Sequence, residues 1–260
     1  MRVFLKLTAF ILGLLCFFLT TLPLLPWLQR DPQRVRPMLT RQVSRYARFV
    51  RWLLGLSVEV TGDESSWNSR GGHLIVANHM SYLDVVLLAS TRPACFVTST
   101  DIKKTFGLGH IVQLAGCLFV NRKDKSGLGQ EVKELSDALA AGLDVVVFPE
   151  ATSTNGEAIL RFRKPLFSAA LAVHAPVLPV TINYVSADGE AVSRRNRDSL
   201  CWYGDMDFVP HFLTLAALKG AHFKFHVHAP VTAIRDVTEL AHYSETRVRE
   251  HFNPILSEVV

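Results

Sequence analysis

The sequence predicts an α/β fold: a mixed, mostly parallel central sheet flanked by helices, with an N-terminal helical membrane anchor. Three observations predict it. Beyond residue 58, short β-branched runs alternate with helical stretches, the signature of α/β layering. Polar residues suited to chemistry recur where three of those runs end. Residues 7–28 carry no charge, and an arginine block follows them. A chain of 260 residues is long enough for one large core plus an appendage, so the expected division is 1–58 and 59–260.

The uncharged run LTAFILGLLCFFLTTLPLLPWL is long enough to span a bilayer. Pro23 and Pro26 would kink it, or turn it back as a re-entrant or interfacial element. Arg30, Arg34, Arg36, Arg41, Arg45, Arg48 and Arg51 follow, opposed only by Asp31. With Arg2 and Lys6 ahead of the run, this bias predicts an inner (cytoplasmic) membrane protein whose downstream domain faces the cytoplasm. On a helix over 40–54, Arg41, Arg45, Arg48 and Arg51 form one stripe with Trp52 among them, opposite Val43, Tyr46, Ala47, Phe49, Val50, Leu53 and Leu54. Such a helix suits a membrane surface, or packs on the domain with a solvated basic face. An arginine block also suits nucleic acid, but one adjoining an apolar span argues for anionic lipid instead.

The expected strands are 73–77, 95–99, 117–121, 144–148, 177–183 and 223–229. The expected helices are 82–90, 129–142, 165–173, 210–219 and 238–252. Helix 129–142 is amphipathic through Val132, Leu135, Ala138 and Leu139. Residues 144–148 (DVVVF) form the continuous apolar run of a central strand. In 223–229, Phe223, Phe225 and Val227 alternate with Lys224, His226 and His228, as in a half-exposed strand.

The most informative segment is NHMSYLD at 78–84, where a strand hands over to a helix. In open α/β sheets that turn lies at the carboxyl edge, where ligands bind. Asp84 falls in the first helical turn, placed to fold back onto His79 and fix its tautomer. A histidine so oriented is a general base for a hydroxyl. Ser81 and Asp84 also fit an S-x-x-D capping box. Strand 117–121 ends at Asn121-Arg122, and strand 144–148 at Pro149-Glu150. Parallel strands would bring a base, a cation and a carboxylate into one crevice.

These motifs resemble those of the glycerolipid acyltransferase family, the 1-acylglycerol-3-phosphate acyltransferase group, over roughly residues 59–235. NHMSYLD looks like the family's N-H-x-x-x-x-D block, which implies that His79 is the base and Asp84 its partner. GCLFVNR at 116–122 looks like the block whose arginine contacts the acceptor phosphate, here Arg122. FPEATS at 148–153 looks like the block normally written F-P-E-G-T-R, and VLPV at 177–180 like the fourth block. Asn78, Arg122, Glu150, Thr152 and Ser153 are thereby expected to bind substrate. Ala151 replaces the block's glycine and Ser153 its arginine, which removes a bidentate phosphate clamp. Arg161, Arg163 and Lys164 lie just downstream as substitutes. WYGDMDFVPH at 202–211 and the Thr-Ser form of the third block look like a bacterial branch that includes lyso-ornithine lipid acyltransferases.

The resemblance implies a membrane-bound enzyme that moves a fatty acyl group from a thioester to the free hydroxyl of a lysolipid. The acceptor expected first is 1-acylglycerol-3-phosphate, with lyso-ornithine lipid or another lysophospholipid as the alternative. A catalytically inactive lipid-binding protein on the same fold is the other class. The expected donor is acyl-CoA or acyl carrier protein, with no cofactor, no metal and no nucleic-acid partner. No G-x-S-x-G, H-E-x-x-H or Walker A motif is present. His79, Asp84 and Glu150, or His226 and His228, are the candidate metal ligands; the second pair sits two apart on one face of its strand and shows no third ligand in the sequence. The four cysteines form no C-x-x-C pair, which fits a reducing compartment.

Overall fold

The structure, a computed structural model, describes residues 1–69, 71–104, 108–121 and 128–256. The N-terminal region is a helical hairpin. Helix α1 (Arg2–Thr21) passes through a 3-10 turn (Leu22–Leu24, with Pro23) into the short helix α2 (Leu25–Arg30). The chain then reverses. Asp31 caps the next helix, α3 (Pro32–Leu54), by accepting a hydrogen bond from the Arg34 N–H, and Pro32 fills the first turn, where no N–H is needed. Helices α1 and α3 run antiparallel: Phe17 packs edge-on against Tyr46, and the Lys6 ammonium reaches the Leu54 carbonyl at the far end of α3.

Helix α3 is 23 residues long and starts eight residues before the expected one. Its apolar side is not free. Val35, Leu39, Ala47 and Leu54 are buried, and Arg51 donates to Ser90 in the helix after the NHMSYLD turn. Gly55 ends α3 at φ 75°, where a Cβ would lie 2.6 Å from the Lys219 carbonyl oxygen, so only glycine fits. Strand β1 (Leu56–Gly62) begins at the next residue. The expected boundary at 58 therefore falls inside a strand, and residues 1–58 are packed into the domain rather than appended to it.

The remaining elements are α4 (Glu64–Asn68), β2 (Leu74–Ala77), α5 (Tyr82–Thr91), β3 (Cys95–Ser99), α6 (Leu108–Leu114), β4 (Leu118–Val120), α7 (Leu128–Ala140), β5 (Val145–Val147), α8 (Phe167–Ala172), β6 (Val177–Ala187), β7 (Glu190–Ala191), α9 (Phe208–Ala217), β8 (Ala221–Val227) and α10 (Val237–Glu250). Each expected strand and helix beyond residue 58 is present. β1 and the two-residue β7 are the unexpected strands, although in β1 Val58 and Val60 alternate with Ser57, Glu59 and Thr61. The sheet order is β1-β8-β6-β2-β5-β3-β4, with β7 hairpinned on β6. β6, β2, β5, β3 and β4 run parallel to one another; β8 and β7 are antiparallel to β6, and β1 is parallel to β8.

Alternation sorts the side chains onto two faces. Ile75, Ala77, Leu178, Val180, Ile182, Phe223 and Phe225 form one core with α3, α5 and α9. Leu74, Val76, Val145, Val147 and Val177 form the other with α7, α8 and α10. The continuous apolar runs of β2 and β5 are thus buried on both faces, as central parallel strands are.

Candidate active site

The parallel strands β2, β5, β3 and β4 bring Asn78-His79, Pro149-Glu150 and Asn121 to one carboxyl edge. Arg122, the expected phosphate contact, lies outside the described residues. The His79 Nδ1 is 2.9 Å from the Asp84 Oδ2. That same oxygen accepts the backbone N–H of Met80 at 2.7 Å and of Ser81 at 3.0 Å. The other carboxylate oxygen, Oδ1, accepts the Tyr184 hydroxyl at 2.8 Å. Asp84 is 0% exposed, and four donors converge on it. An acceptor so surrounded assigns the Nδ1 proton to His79, which leaves the lone pair on Nε2.

The capping reading of Asp84 holds, and the same carboxylate has the contact to His79 that the catalytic reading asks for. Ser81 accepts the Leu83 N–H, while Asp84 accepts the Ser81 N–H, so α5 opens with a reciprocal capping box. The carboxylate that starts the helix also aims the imidazole. The ring is stacked on Phe148, with centroids 4.1 Å apart and planes 14° apart, and its side chain is 20% exposed. It is therefore fixed on two sides and open on one.

Glu150 is buried, and its oxygens accept the backbone N–H groups of His79 at 2.7 Å and of Leu160 at 2.6 Å. It thus holds the His79 backbone against the loop after β5. Burial pushes its carboxyl up to about 7, with the nearby Asp84 charge adding to the rise and the two amides opposing it. The folded chain therefore holds this proton more tightly than the unfolded chain does, whose group sits near 4.5. Stability from Glu150 is complete below pH 4.5 and is lost as pH rises toward about 7. Glu150→Gln, which never ionises, should gain unfolding free energy relative to the wild type across that window. Denaturant titrations at several pH values measure it, and a constant difference would refute the shift.

Asn78 is 1% exposed. Its amide donates to the Ile182 carbonyl and accepts the Ile182 N–H, at 3.0 and 2.8 Å. Expected to bind substrate, it instead ties the end of β2 to β6. Thr152 is exposed and Ser153 half-buried. Ala151 stands at φ 62°, the left-handed conformation that a glycine adopts without cost. Beside the stack of His79 on Phe148 lies a cleft of about 590 Å³, lined by Phe148, Pro149 and Asn121 and by the cations Arg161, Arg163 and Lys164. Lys164 also donates to Thr238 at 3.1 Å.

Sequence reasoning missed Tyr184 and Phe148 as partners of the pair. Tyr184 continues the buried row Leu178, Val180 and Ile182, and a buried tyrosine hydroxyl needs an acceptor. That periodicity was the available signal. Tyr82 and His211 form a second buried polar contact beside the site, 2.8 Å between the hydroxyl and Nδ1.

Comparisons with known proteins agree with this geometry. A family model described as Acyltransferase matches residues 57–183. The lyso-ornithine lipid O-acyltransferase of Rhizobium meliloti (strain 1021) is 33% identical over 196 residues, 72% of this chain and 63% of that protein. The chain thus spans just under two thirds of that relative's length. The lyso-ornithine lipid O-acyltransferase of Pseudomonas aeruginosa is 30% identical over 213 residues, 78% of this chain and 77% of that one. The 1-acyl-sn-glycerol-3-phosphate acyltransferase of Neisseria gonorrhoeae is 32% identical over 123 residues, 47% of this chain and 48% of that one. The crystal structure of the 1-acyl-sn-glycerophosphate acyltransferase PlsC from Thermotoga maritima has a TM-score of 0.62 at 21% identity. It covers 96% of this chain and 95% of its own, and shares the fold.

Proposed function

This chain belongs to the acyltransferase family, and from that premise we propose that it transfers a fatty acyl group from a thioester to the free hydroxyl of a lysolipid. The observation that carries the reading is the His79–Asp84 pair at 2.9 Å, in a side chain 20% exposed, which leaves the Nε2 lone pair for an acceptor hydroxyl. Nε2 takes the acceptor's hydroxyl proton as its oxygen attacks the thioester carbonyl. The tetrahedral adduct collapses to the ester and expels the thiolate, which takes the proton back from the imidazolium. Asp84 stabilises the imidazolium between these steps. The thioester is already activated, so the chemistry asks for no cofactor. The donor is acyl-CoA or acyl carrier protein; both are acidic, which suits a basic cleft.

The acceptor is a lysolipid whose headgroup carries a phosphate or a carboxylate, with which Arg161, Arg163 and Lys164 would pair. 1-Acylglycerol-3-phosphate is the first reading. Lyso-ornithine lipid is the second. It is favoured by Ser153, which stands where the family's phosphate-clamping arginine is expected, and by the longer matches to relatives of that name. Purified protein assayed against a panel of lysolipids tests this. We expect turnover on at least one acceptor that bears a phosphate or a carboxylate, and Arg163→Ala should lower it roughly 10–100-fold, the loss of one charged contact of roughly 1.5–3 kcal/mol. No turnover on any lysolipid with either donor would favour an inactive lipid-binding protein.

The hairpin supplies membrane attachment. The segment Arg2–Arg30 is long and apolar enough to cross a bilayer. However, α1 is laid on the domain: Phe10 packs on Phe212 of α9 at 4.5 Å, and Lys6 donates to the Leu218 carbonyl. Ile11, Leu12, Leu15, Leu19, Leu22 and Trp27 face outward, beside Val209 and Leu213 of α9. Met38 and Trp52 (74% exposed) stand among the arginines of α3. An apolar face edged by tryptophan and arginine lies in one leaflet of an anionic membrane. The apolar run is thus read as the interfacial element, on the cytoplasmic face of the inner membrane. Ile11→Glu with Leu15→Glu should cut binding to anionic vesicles at least tenfold in co-sedimentation while leaving the unfolding midpoint nearly unchanged. Undiminished sedimentation would refute the assignment.

A further inference from the structure

Three imidazoles meet on the sheet face away from the hairpin, where the end of α10 crosses β8. His226 and His228 sit two residues apart on one side of the β8 strand line, and His251 follows α10 as its C-cap. One ring nitrogen from each lies within 4.8 Å of the others. His251 is the third ligand that the sequence did not show. We infer that His226, His228 and His251 form a binding site for a divalent transition-metal ion of the zinc class, in which the protein supplies three neutral imidazole nitrogens.

The surrounding hydrogen bonds prepare two of these rings as ligands. The Thr181 hydroxyl donates to the Val248 carbonyl at 2.8 Å, so it accepts from the His228 Nε2–H at 2.9 Å. The lone pair of His228 is therefore on Nδ1. The Thr61 hydroxyl, turned to the Phe225 carbonyl, faces the His226 Nδ1 at 3.3 Å. By the same logic the His226 lone pair is on Nε2. Fixing one ring nitrogen by an outer hydrogen bond is how metal-binding histidines are usually oriented.

Coordination requires one movement. Ring nitrogens held about 2.0–2.1 Å from a zinc ion lie no more than about 4.2 Å apart. At present His251 is stacked on His226, with centroids 3.6 Å apart and planes 12° apart. His251 is exposed at the helix end, so its ring is free to swing out of the stack and converge its lone pair on the others. Three imidazoles with no thiolate suit zinc, nickel or cobalt(II) rather than magnesium or calcium. Elsewhere among the described residues, no other group of three such side chains converges.

The test uses the full, untagged chain in detergent, dialysed against zinc chloride, with bound metal counted by elemental analysis. Cobalt(II) serves as an optical probe. We expect one equivalent of zinc and a cobalt ligand-field spectrum that zinc abolishes. His251→Ala and His226→Gln should each weaken zinc binding at least a hundredfold, with His242→Ala as an unaffected control. Circular dichroism of each variant checks its fold. Because His251 is exposed, His251→Ala alone carries the test if His226→Gln unfolds. Less than stoichiometric zinc on the wild type, or full binding retained by His251→Ala, would overturn the assignment.

Discussion

His79→Ala should lower acyl transfer to the best lysolipid acceptor by roughly 10²–10⁴-fold, the contribution of a positioned general base. The loss should appear in kcat and in kcat/KM alike, because the imidazole acts as the hydroxyl is deprotonated and not when the lipid docks. Stability should change little. Asp84 keeps its two backbone donors and Tyr184 after the ring is gone, and His79 is partly open to solvent. Steady-state kinetics beside a thermal melt separates the two quantities. Retention of more than a few per cent of turnover would mean that another group takes the proton.

Asp84→Ala should be the most damaging single change to both fold and activity. It orphans the Met80 and Ser81 N–H groups and the Tyr184 hydroxyl in a site that is fully buried. Each abandoned donor costs roughly 1–3 kcal/mol, so the variant loses several kcal/mol and purifies poorly or melts far below the wild type. Asp84→Asn is the informative partner. Its carbonyl oxygen can face the three N–H donors while its NH₂ turns to Tyr184, whose hydroxyl then accepts. The histidine tautomer survives, and only the charge that stabilises the imidazolium is lost. Asp84→Asn should therefore remain folded and lose about 10–100-fold in turnover, a charged contact of roughly 1.5–3 kcal/mol. Equal melting points for the alanine and asparagine variants would refute this account of Asp84.

The elements beyond residue 58 were legible because their burial is periodic. β5 is buried on both sides and β8 on one, and their residues record that difference. The hairpin was less legible. An uncharged run and an arginine helix do not say which surfaces meet, and only Phe17 against Tyr46 and Lys6 against Leu54 settle the reversal. Of the candidate site, the pair His79 and Asp84 was readable because both members lie within one turn. Asn78 was misplaced because a polar residue at a strand end looks the same whether it faces the crevice or braces the neighbouring strand. Tyr184 reaches Asp84 over 100 positions, and His251 meets His226 and His228 only where the end of α10 crosses β8. Local pattern carries no trace of such meetings.

The double duty of Asp84 has a consequence for reading related chains. Because the same side chain closes the cap of α5 and steers the imidazole, selection for folding alone would keep an oxygen acceptor there, aspartate or asparagine, after any catalysis had gone. On the proposed mechanism, a copy that had decayed into a passive lipid binder could lose its histidine and still fold. In genomes that carry several such chains, an acceptor at this spacing therefore speaks for the scaffold, and the histidine for the proposed activity.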